Sequence, residues 1–151
     1  MRYASILPLM VYLLVFCDVL TAQDNPFMQM AEKKYADYTE DLYNECLKIS
    51  LLDTIEGRNI VRQVEEVANK TGSSEWTLRA AYFELRLLDR KFILYGNNLI
   101  SIEEILKMSF QLLEKAKKAN IPQLELQLRQ DIIDYYWLRR PWLYIFSSLY
   151  P

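Results

Sequence analysis

The sequence predicts an all-α fold in which about five helices follow a signal peptide and stack as antiparallel hairpins in a short solenoid. Two observations lead to this prediction. Apolar residues recur at helical spacing along most of the chain, and no useful stretch alternates as a strand would. The segment 100–122 carries signals at both ends, which is typical of a helix that docks by one face and is followed at once by another.

Residues 1–22 have the features of a signal peptide. Arg2 precedes an uncharged apolar run, and Ala22 is a small residue at the cleavage position. We therefore predict that the chain is exported and cleaved between Ala22 and Gln23. An uncleaved membrane anchor and lipidation at Cys17 are the alternatives that these residues leave open.

The composition favours an ordered domain and argues against a nucleic-acid partner. Hydrophobic residues make up 52% of the 151 residues, and the formal net charge is −2. Cleavage removes Arg2 and Asp18 together, so the balance of charge is unchanged and no strong positive field attracts phosphates. Cys46 is the only cysteine left after cleavage, and its place on an apolar stripe indicates a small buried side chain.

The helical domain is predicted to span residues 23–138. The first helix runs from about Phe27 or Met30 to Leu51, the second from a cap at Asp53 to Gly72, the third from Ser73 or Ser74 to about Phe92, the fourth from Ser101 to Ala119, and the fifth from near Pro122. The third helix is apolar on more than one side, which places it between two neighbours. Gly57 weakens the first turn of the second helix.

The core is predicted from residues that recur at helical spacing. They are Met30, Tyr35, Tyr38, Leu42, Cys46 and Ile49 in the first helix, Ile60, Val61, Val64, Val67 and Ala68 in the second, Trp76, Leu78, Ala80, Ala81, Tyr82, Phe83, Leu85, Leu87 and Leu88 in the third, Ile102, Ile105, Leu106, Ser109, Leu112, Leu113, Ala116 and Ala119 in the fourth, and Leu124, Leu128, Ile132, Tyr135 and Tyr136 in the fifth.

The fourth helix has the clearest ends. Ser101 and Glu104 have the spacing of a capping box, in which each side chain accepts a hydrogen bond from the other residue's backbone N–H. Asn120 can adopt the left-handed conformation that stops a helix, and Pro122 prevents its continuation.

Two helices carry the spacing of a helical repeat. Ser109, Leu113 and Ala116 follow the small–large–small pattern of the second helix of a tetratricopeptide repeat, and Trp76 with Tyr82 or Phe83 matches the aromatic positions of its first helix. With the export signal, the chain resembles the N-terminal part of exported tetratricopeptide-repeat-like envelope and sensory proteins of Gram-negative bacteria. The resemblance covers residues 23–138 and implies a partner-binding or sensory scaffold in the periplasm or cell envelope.

The apolar tail, residues 139–151, departs from that family. It begins with Arg139 and Arg140 and carries no further charge, where the family has a partner helix for the fifth helix. We favour a truncated or frame-shifted reading frame, while a segment that covers the core and an interfacial membrane anchor are the alternatives. Because the fifth helix lacks its mate, we expect dimerisation or aggregation.

The sequence shows no catalytic, cofactor-binding or metal-binding constellation, and we predict that the protein is not an enzyme. Histidine is absent, and none of the three glycines belongs to a phosphate-binding loop. Adjacent carboxylates such as Glu65–Glu66 point about 100° apart on a helix, so they do not converge on a substrate.

The sequence therefore predicts a non-catalytic scaffold that binds a protein or peptide and needs no cofactor. The alternative is a small membrane-associated envelope protein, held by an uncleaved N-terminal segment. If the third and fifth helices are first helices of successive hairpins, they line a concave surface. The candidate partner-contacting residues are then Arg79, Arg86, Tyr95 and Arg129, and we expect substitution of these arginines by glutamate to leave helicity unchanged.

Overall fold

The computed structural model describes residues 25–52, 54–96 and 100–136, and within these ranges the protein is all-α. The six α-helices of these ranges are α1 (Pro26–Ala31), α2 (Thr39–Leu51), α3 (Thr54–Thr71), α4 (Ser74–Tyr95), α5 (Ile102–Lys118) and α6 (Pro122–Asp134), with a 3₁₀ turn at Tyr35–Asp37. The all-α class predicted from the sequence is confirmed. The predicted signal peptide, the cap at Asp53 and the tail 139–151 lie outside the described residues.

From α2 to α6, successive helices pack against each other along the chain. Helix α3 packs most extensively on α4, α5 packs on both α4 and α6, and α2 contacts α3 and α4. Short connections, such as Gly72–Ser73 between α3 and α4, make consecutive helices antiparallel neighbours. Helix α4 therefore lies between neighbours on more than one side, as its two apolar stripes predicted.

The first predicted helix is not continuous, and this prediction is wrong. It is divided into α1, the 3₁₀ turn and α2, because Lys34 adopts an extended conformation between the first two. The step of five residues from Met30 to Tyr35 would leave Tyr35 off the core side of a straight helix. The break turns Tyr35 and Tyr38 inward, and Tyr38 stacks on Trp76 with a centroid distance of 6.1 Å.

Helix α1 is fixed to the body by its cap and by one aromatic side chain. The Asn25 carboxamide oxygen accepts a hydrogen bond from the Phe27 N–H at 3.0 Å, and its Nδ2 donates to the Gln63 carbonyl of α3 at 3.0 Å. The Phe27 ring meets the Phe83 ring edge-on at a centroid distance of 5.5 Å. These contacts hold a helix too short to be stable alone.

Gly57 has a packing role that the sequence did not reveal. It is buried inside α3, and a Cβ atom added there would lie 2.8 Å from Cδ1 of the fully buried Leu87 on α4. Glycine therefore allows α3 and α4 to approach closely, which offsets its unfavourable helix propensity.

The predicted ends of α5 are confirmed. Ser101 Oγ accepts a hydrogen bond from the Glu104 N–H at 3.2 Å, and Glu104 Oε2 accepts one from the Ser101 N–H at 2.9 Å. Asn120 has a φ of 54°, and the Ile121 N–H donates to the Ala116 carbonyl at 3.1 Å. This is the hydrogen-bond pattern of a Schellman stop.

Most predicted core residues are buried, and the exceptions lie at the edges of stripes or at helix ends. Ala81, Ala119 and Tyr136 are exposed, although the sequence predicted each of them to be in the core. Helix α4 also continues to Tyr95 instead of ending near Phe92. On α6, Leu126 and Ile133 are exposed as well, so this helix presents apolar side chains to solvent.

Candidate functional site

A groove of about 350 Å³ runs between α2 and α6, with α4 as its floor. The lining residues are Tyr43, Cys46 and Leu47 from α2, Tyr82 and Arg86 from α4, and Gln127, Gln130, Asp131, Asp134 and Tyr135 from α6 and its end. On each helix these residues recur at steps of one, three or four positions, so each helix contributes a single face. The groove follows directly from placing every second helix of the chain side by side.

A hydrogen-bond network on the groove floor joins the three helices. Arg86 Nη1 pairs with Asp131 Oδ1 at 3.0 Å, and Arg86 Nη2 donates to Ser50 Oγ at 3.1 Å. The Tyr82 hydroxyl donates to Asp131 Oδ2 at 3.0 Å. Asp131 therefore connects α6 to α4, and Arg86 connects α4 to α2. Such a network fixes the distance between the two walls.

Burial and charge act on this network in opposite directions. Burial by itself would lower the pKa of the Arg86 guanidinium, but Asp131 and then Tyr82 raise it above its ordinary value. Burial raises the pKa of the Asp131 carboxyl, and Arg86 and Tyr82 oppose that rise. Arg86 thus stays cationic, while burial disfavours the charged forms of both partners and their mutual attraction offsets it.

Cys46 is a buried thiol in the groove lining. Burial raises its pKa to about 11, against an opposing effect of the Arg86 charge. Because the thiolate is the nucleophilic form, the side chain is unreactive near neutral pH. This agrees with the sequence-based interpretation of Cys46 as a small buried side chain.

The two walls of the groove differ in chemistry. On α2, Tyr43 and Leu47 leave 58% and 41% of their surface exposed, so this wall is apolar. On α6, Gln127, Gln130 and Asp134 form a polar wall, where Gln130 Nε2 donates to Asp134 Oδ1 at 3.0 Å. An apolar wall opposite amides and a carboxylate is typical of a binding site that favours one orientation of its ligand.

Only one of the four predicted partner-contacting residues lines the groove. Arg86 does so, but its guanidinium is engaged with Asp131 and Ser50. Arg79 is 1% exposed and lies under the Tyr35 ring, with Cζ 4.8 Å from the ring centroid. The expectation that Arg79 faces a partner is therefore wrong, because the 3₁₀ turn covers it.

Tyr95 and Arg129 are exposed but lie elsewhere on the molecule. Tyr95 is the last residue of α4 instead of part of a loop, and 51% of its surface is exposed. The Arg129 side chain is 51% exposed and pairs with Glu125 on its own helix, away from the groove lining. The structure does not bring these two residues together with Arg86.

Sequence reasoning missed both walls of the groove, although signals for them were present. Tyr43 and Leu47 are an apolar pair four residues apart and lie off the buried stripe of α2. Gln127, Asp131 and Asp134 recur at helical spacing on a polar side of α6. The sequence of one helix does not show which of its exposed faces lies opposite another helix across a groove. These patterns could therefore be interpreted only once the fold was known.

Protein-family models, curated proteins and solved structures were compared with the chain, and none of them matches it. Across residues 25–52, 54–96 and 100–136, no group of acidic or cysteine side chains is arranged to hold a metal ion. None of the helices described is both long enough and apolar enough to cross a membrane.

Proposed function

We propose that this protein is a non-catalytic scaffold that binds a segment of a protein partner in the groove between α2 and α6. One observation carries the proposal: Tyr43 and Leu47 stand exposed along one wall of a groove that a polar wall faces at the other side. Concave surfaces with an apolar part and a few placed polar groups are the usual form of binding sites.

The chemistry of the groove favours binding over catalysis. Arg86 and Asp131 are hydrogen-bonded to each other, and Tyr82 donates to Asp131. Their polar groups therefore serve to hold the helices instead of facing a reacting molecule. Burial raises the pKa of the Cys46 thiol to about 11, so the thiol is neutral near pH 7 and is a poor nucleophile there.

The order of the helices also supports a repeat scaffold of the tetratricopeptide-like type. Helices α2, α4 and α6 line the groove, while α3 and α5 alternate with them along the chain. In a solenoid of helical hairpins, the first helix of each hairpin lines the concave side. The proposed location, the periplasm or envelope of a Gram-negative bacterium, rests on the signal-peptide features of residues 1–22.

Site-specific photocrosslinking in the native host tests this function. A photoreactive phenylalanine analogue replaces Leu47 in the groove or, as a matched control, Met108 on α5, whose exposed fraction is 37% against 41%. We expect a discrete crosslinked partner, identified by mass spectrometry, from position 47 and not from position 108. Equal crosslinking at both positions, or none at position 47, would contradict the proposal.

A further inference from the structure

We propose that the groove selects a short basic–apolar segment, in which an apolar residue stands within a few positions of a lysine or arginine. The inference rests on the proposed function and adds the chemical class of the ligand. Its basis is the pairing of an apolar wall with a carboxylate that no cation neutralises among the described residues.

The apolar half of the segment is set by α2. Tyr43 and Leu47 lie one helical turn apart and together form a continuous apolar surface along the wall. A ligand side chain that covers them removes apolar area from water on both sides, which is the main driving force for such contacts. The Tyr43 ring also offers a π-face to a cation that lies beside it.

The basic half is set by the charges of the lining. One guanidinium, that of Arg86, stands against two carboxylates, those of Asp131 and Asp134, which leaves the groove with one net negative charge. Arg86 and Asp131 pair with each other, so the unbalanced charge resides on Asp134. Within the described residues, Asp134 has a hydrogen bond from Gln130 but no ion pair. A ligand ammonium or guanidinium complements this charge.

The length of the segment follows from the polar wall. Gln127 and Asp134 are separated by about two helical turns, or roughly 10 Å along the axis of α6. An extended peptide covers that distance with about three residues. The carboxamides of Gln127 and Gln130 can both donate and accept hydrogen bonds, as the backbone of such a peptide requires.

Selection from a phage-displayed library of random heptapeptides, with the full chain as bait, tests the inference. The variants are Leu47→Ser, which damages the apolar wall, and Asp134→Asn, which removes the carboxylate. Glu65→Gln is the control, because it makes the same change of net charge on the exposed surface of α3. Circular dichroism melts verify that each variant is folded before selection.

We expect wild-type bait to enrich peptides that join an apolar residue to lysine or arginine, and Leu47→Ser to lose them. With Asp134→Asn, the preference for a basic residue should disappear while the apolar preference remains. Fluorescence anisotropy of a selected peptide should show binding about threefold to tenfold weaker to Asp134→Asn and unchanged to Glu65→Gln. Replacing the basic residue of the peptide by glutamine should abolish its sensitivity to Asp134→Asn.

The outcomes separate this inference from the proposed function. Peptides that require Leu47 but have no basic residue, or that respond equally to Glu65→Gln, would overturn the ligand chemistry and leave a binding groove. If Leu47→Ser does not affect any enriched peptide, both the inference and the groove as binding site are wrong.

Discussion

Two Glu–Arg pairs with the same spacing differ in how deeply the arginine is buried. Glu75 and Arg79 lie in α4, and Glu125 and Arg129 lie in α6, each pair four residues apart in the first turns of its helix. In both, the arginine Nε and Nη2 donate to one glutamate oxygen, at 3.0 and 2.7 Å in α4 and at 2.9 and 2.7 Å in α6.

The two pairs differ in whether aromatic rings cover the arginine side chain. The Arg79 side chain is 1% exposed, because the Tyr35 and Trp76 rings lie over it at 4.8 and 6.0 Å from Cζ. The Arg129 side chain is 51% exposed, and within the described part of the chain no ring lies over it. Whether such a pair is buried or exposed therefore depends on segments that can lie far from it in sequence, as the turn that contains Tyr35 does.

Reversing the charge of each arginine gives the largest expected effect. Arg79→Glu places a carboxylate beside Glu75 in a buried site, and we expect a loss of about 3–5 kcal/mol in the free energy of unfolding. Arg129→Glu is the matched control at an exposed pair, with an expected loss below about 1 kcal/mol. Urea denaturation followed by circular dichroism measures both values. Similar losses of unfolding free energy in the two variants would show that burial of Arg79 does not make its ion pair more important for stability.

The Arg86–Asp131 pair extends the comparison to a pair that joins two helices. We expect Arg86→Met or Asp131→Leu to lower the free energy of unfolding by about 3 kcal/mol each, because either change leaves a partly buried charge without its partner. The double variant should come within about 1 kcal/mol of the wild type, since both charges are then gone.

A double-mutant cycle in urea denaturation measures this coupling. Strictly additive losses would show that the two side chains act independently, and the groove floor would then not depend on their pairing.

The reactivity of Cys46 reports whether its thiol stays buried in the groove lining. Because burial raises its pKa from an ordinary value of 9.0 to about 11, the thiolate fraction near pH 8 should be about 100-fold smaller in the folded protein. In a Cys17→Ser background, Ellman's reagent should therefore react about 100-fold more slowly without urea than with it. Equal rates would mean that the thiol is exposed.

The same shift has a consequence for stability. A thiol pKa raised by folding favours the folded state while the thiol is protonated, so this contribution is lost as pH rises from about 9 toward 11. We expect Cys46→Ala to reduce the fall in the free energy of unfolding over this interval.

Removing the Tyr35 ring that covers Arg79 should have a smaller effect than breaking either of the buried ion pairs. Tyr35→Leu keeps an apolar side chain but removes the ring over the guanidinium, and we expect a loss of about 1–2 kcal/mol. Tyr43→Leu, at a ring that is 58% exposed, should change the free energy of unfolding by less than about 0.5 kcal/mol. Thermal and urea denaturation of the two variants provide the measurement. A larger loss of unfolding free energy with Tyr43→Leu than with Tyr35→Leu would contradict the role of the Tyr35 ring over Arg79.

Much of the fold could be predicted from the sequence, because α5 and the stripes of α3 are local features. Ser101, Glu104 and Asn120 interact with backbone atoms a few residues away, so their roles follow from spacing. The break before Tyr35 could not be predicted in the same way, because it depends on contacts with Trp76 and Arg79 on a helix far along the chain.

The candidate site was predicted less well than the fold. Arg86 was found, since it lies on the helix expected to line the concave side, but Arg79 was placed with it wrongly. The periodicity of α4 shows that two of its sides are apolar and does not show which segment covers the polar residue between them.

The sequence by itself determined the helical fold class, the ends of the best-capped helix and most of the core, because capping and amphipathic periodicity act within one element. Only the tertiary structure decided that Arg79 is buried while Arg129 is not, that Gly57 allows a close approach to Leu87, and that α2 faces α6 across a groove. These properties depend on which surfaces meet after folding, and no residue carries that information alone.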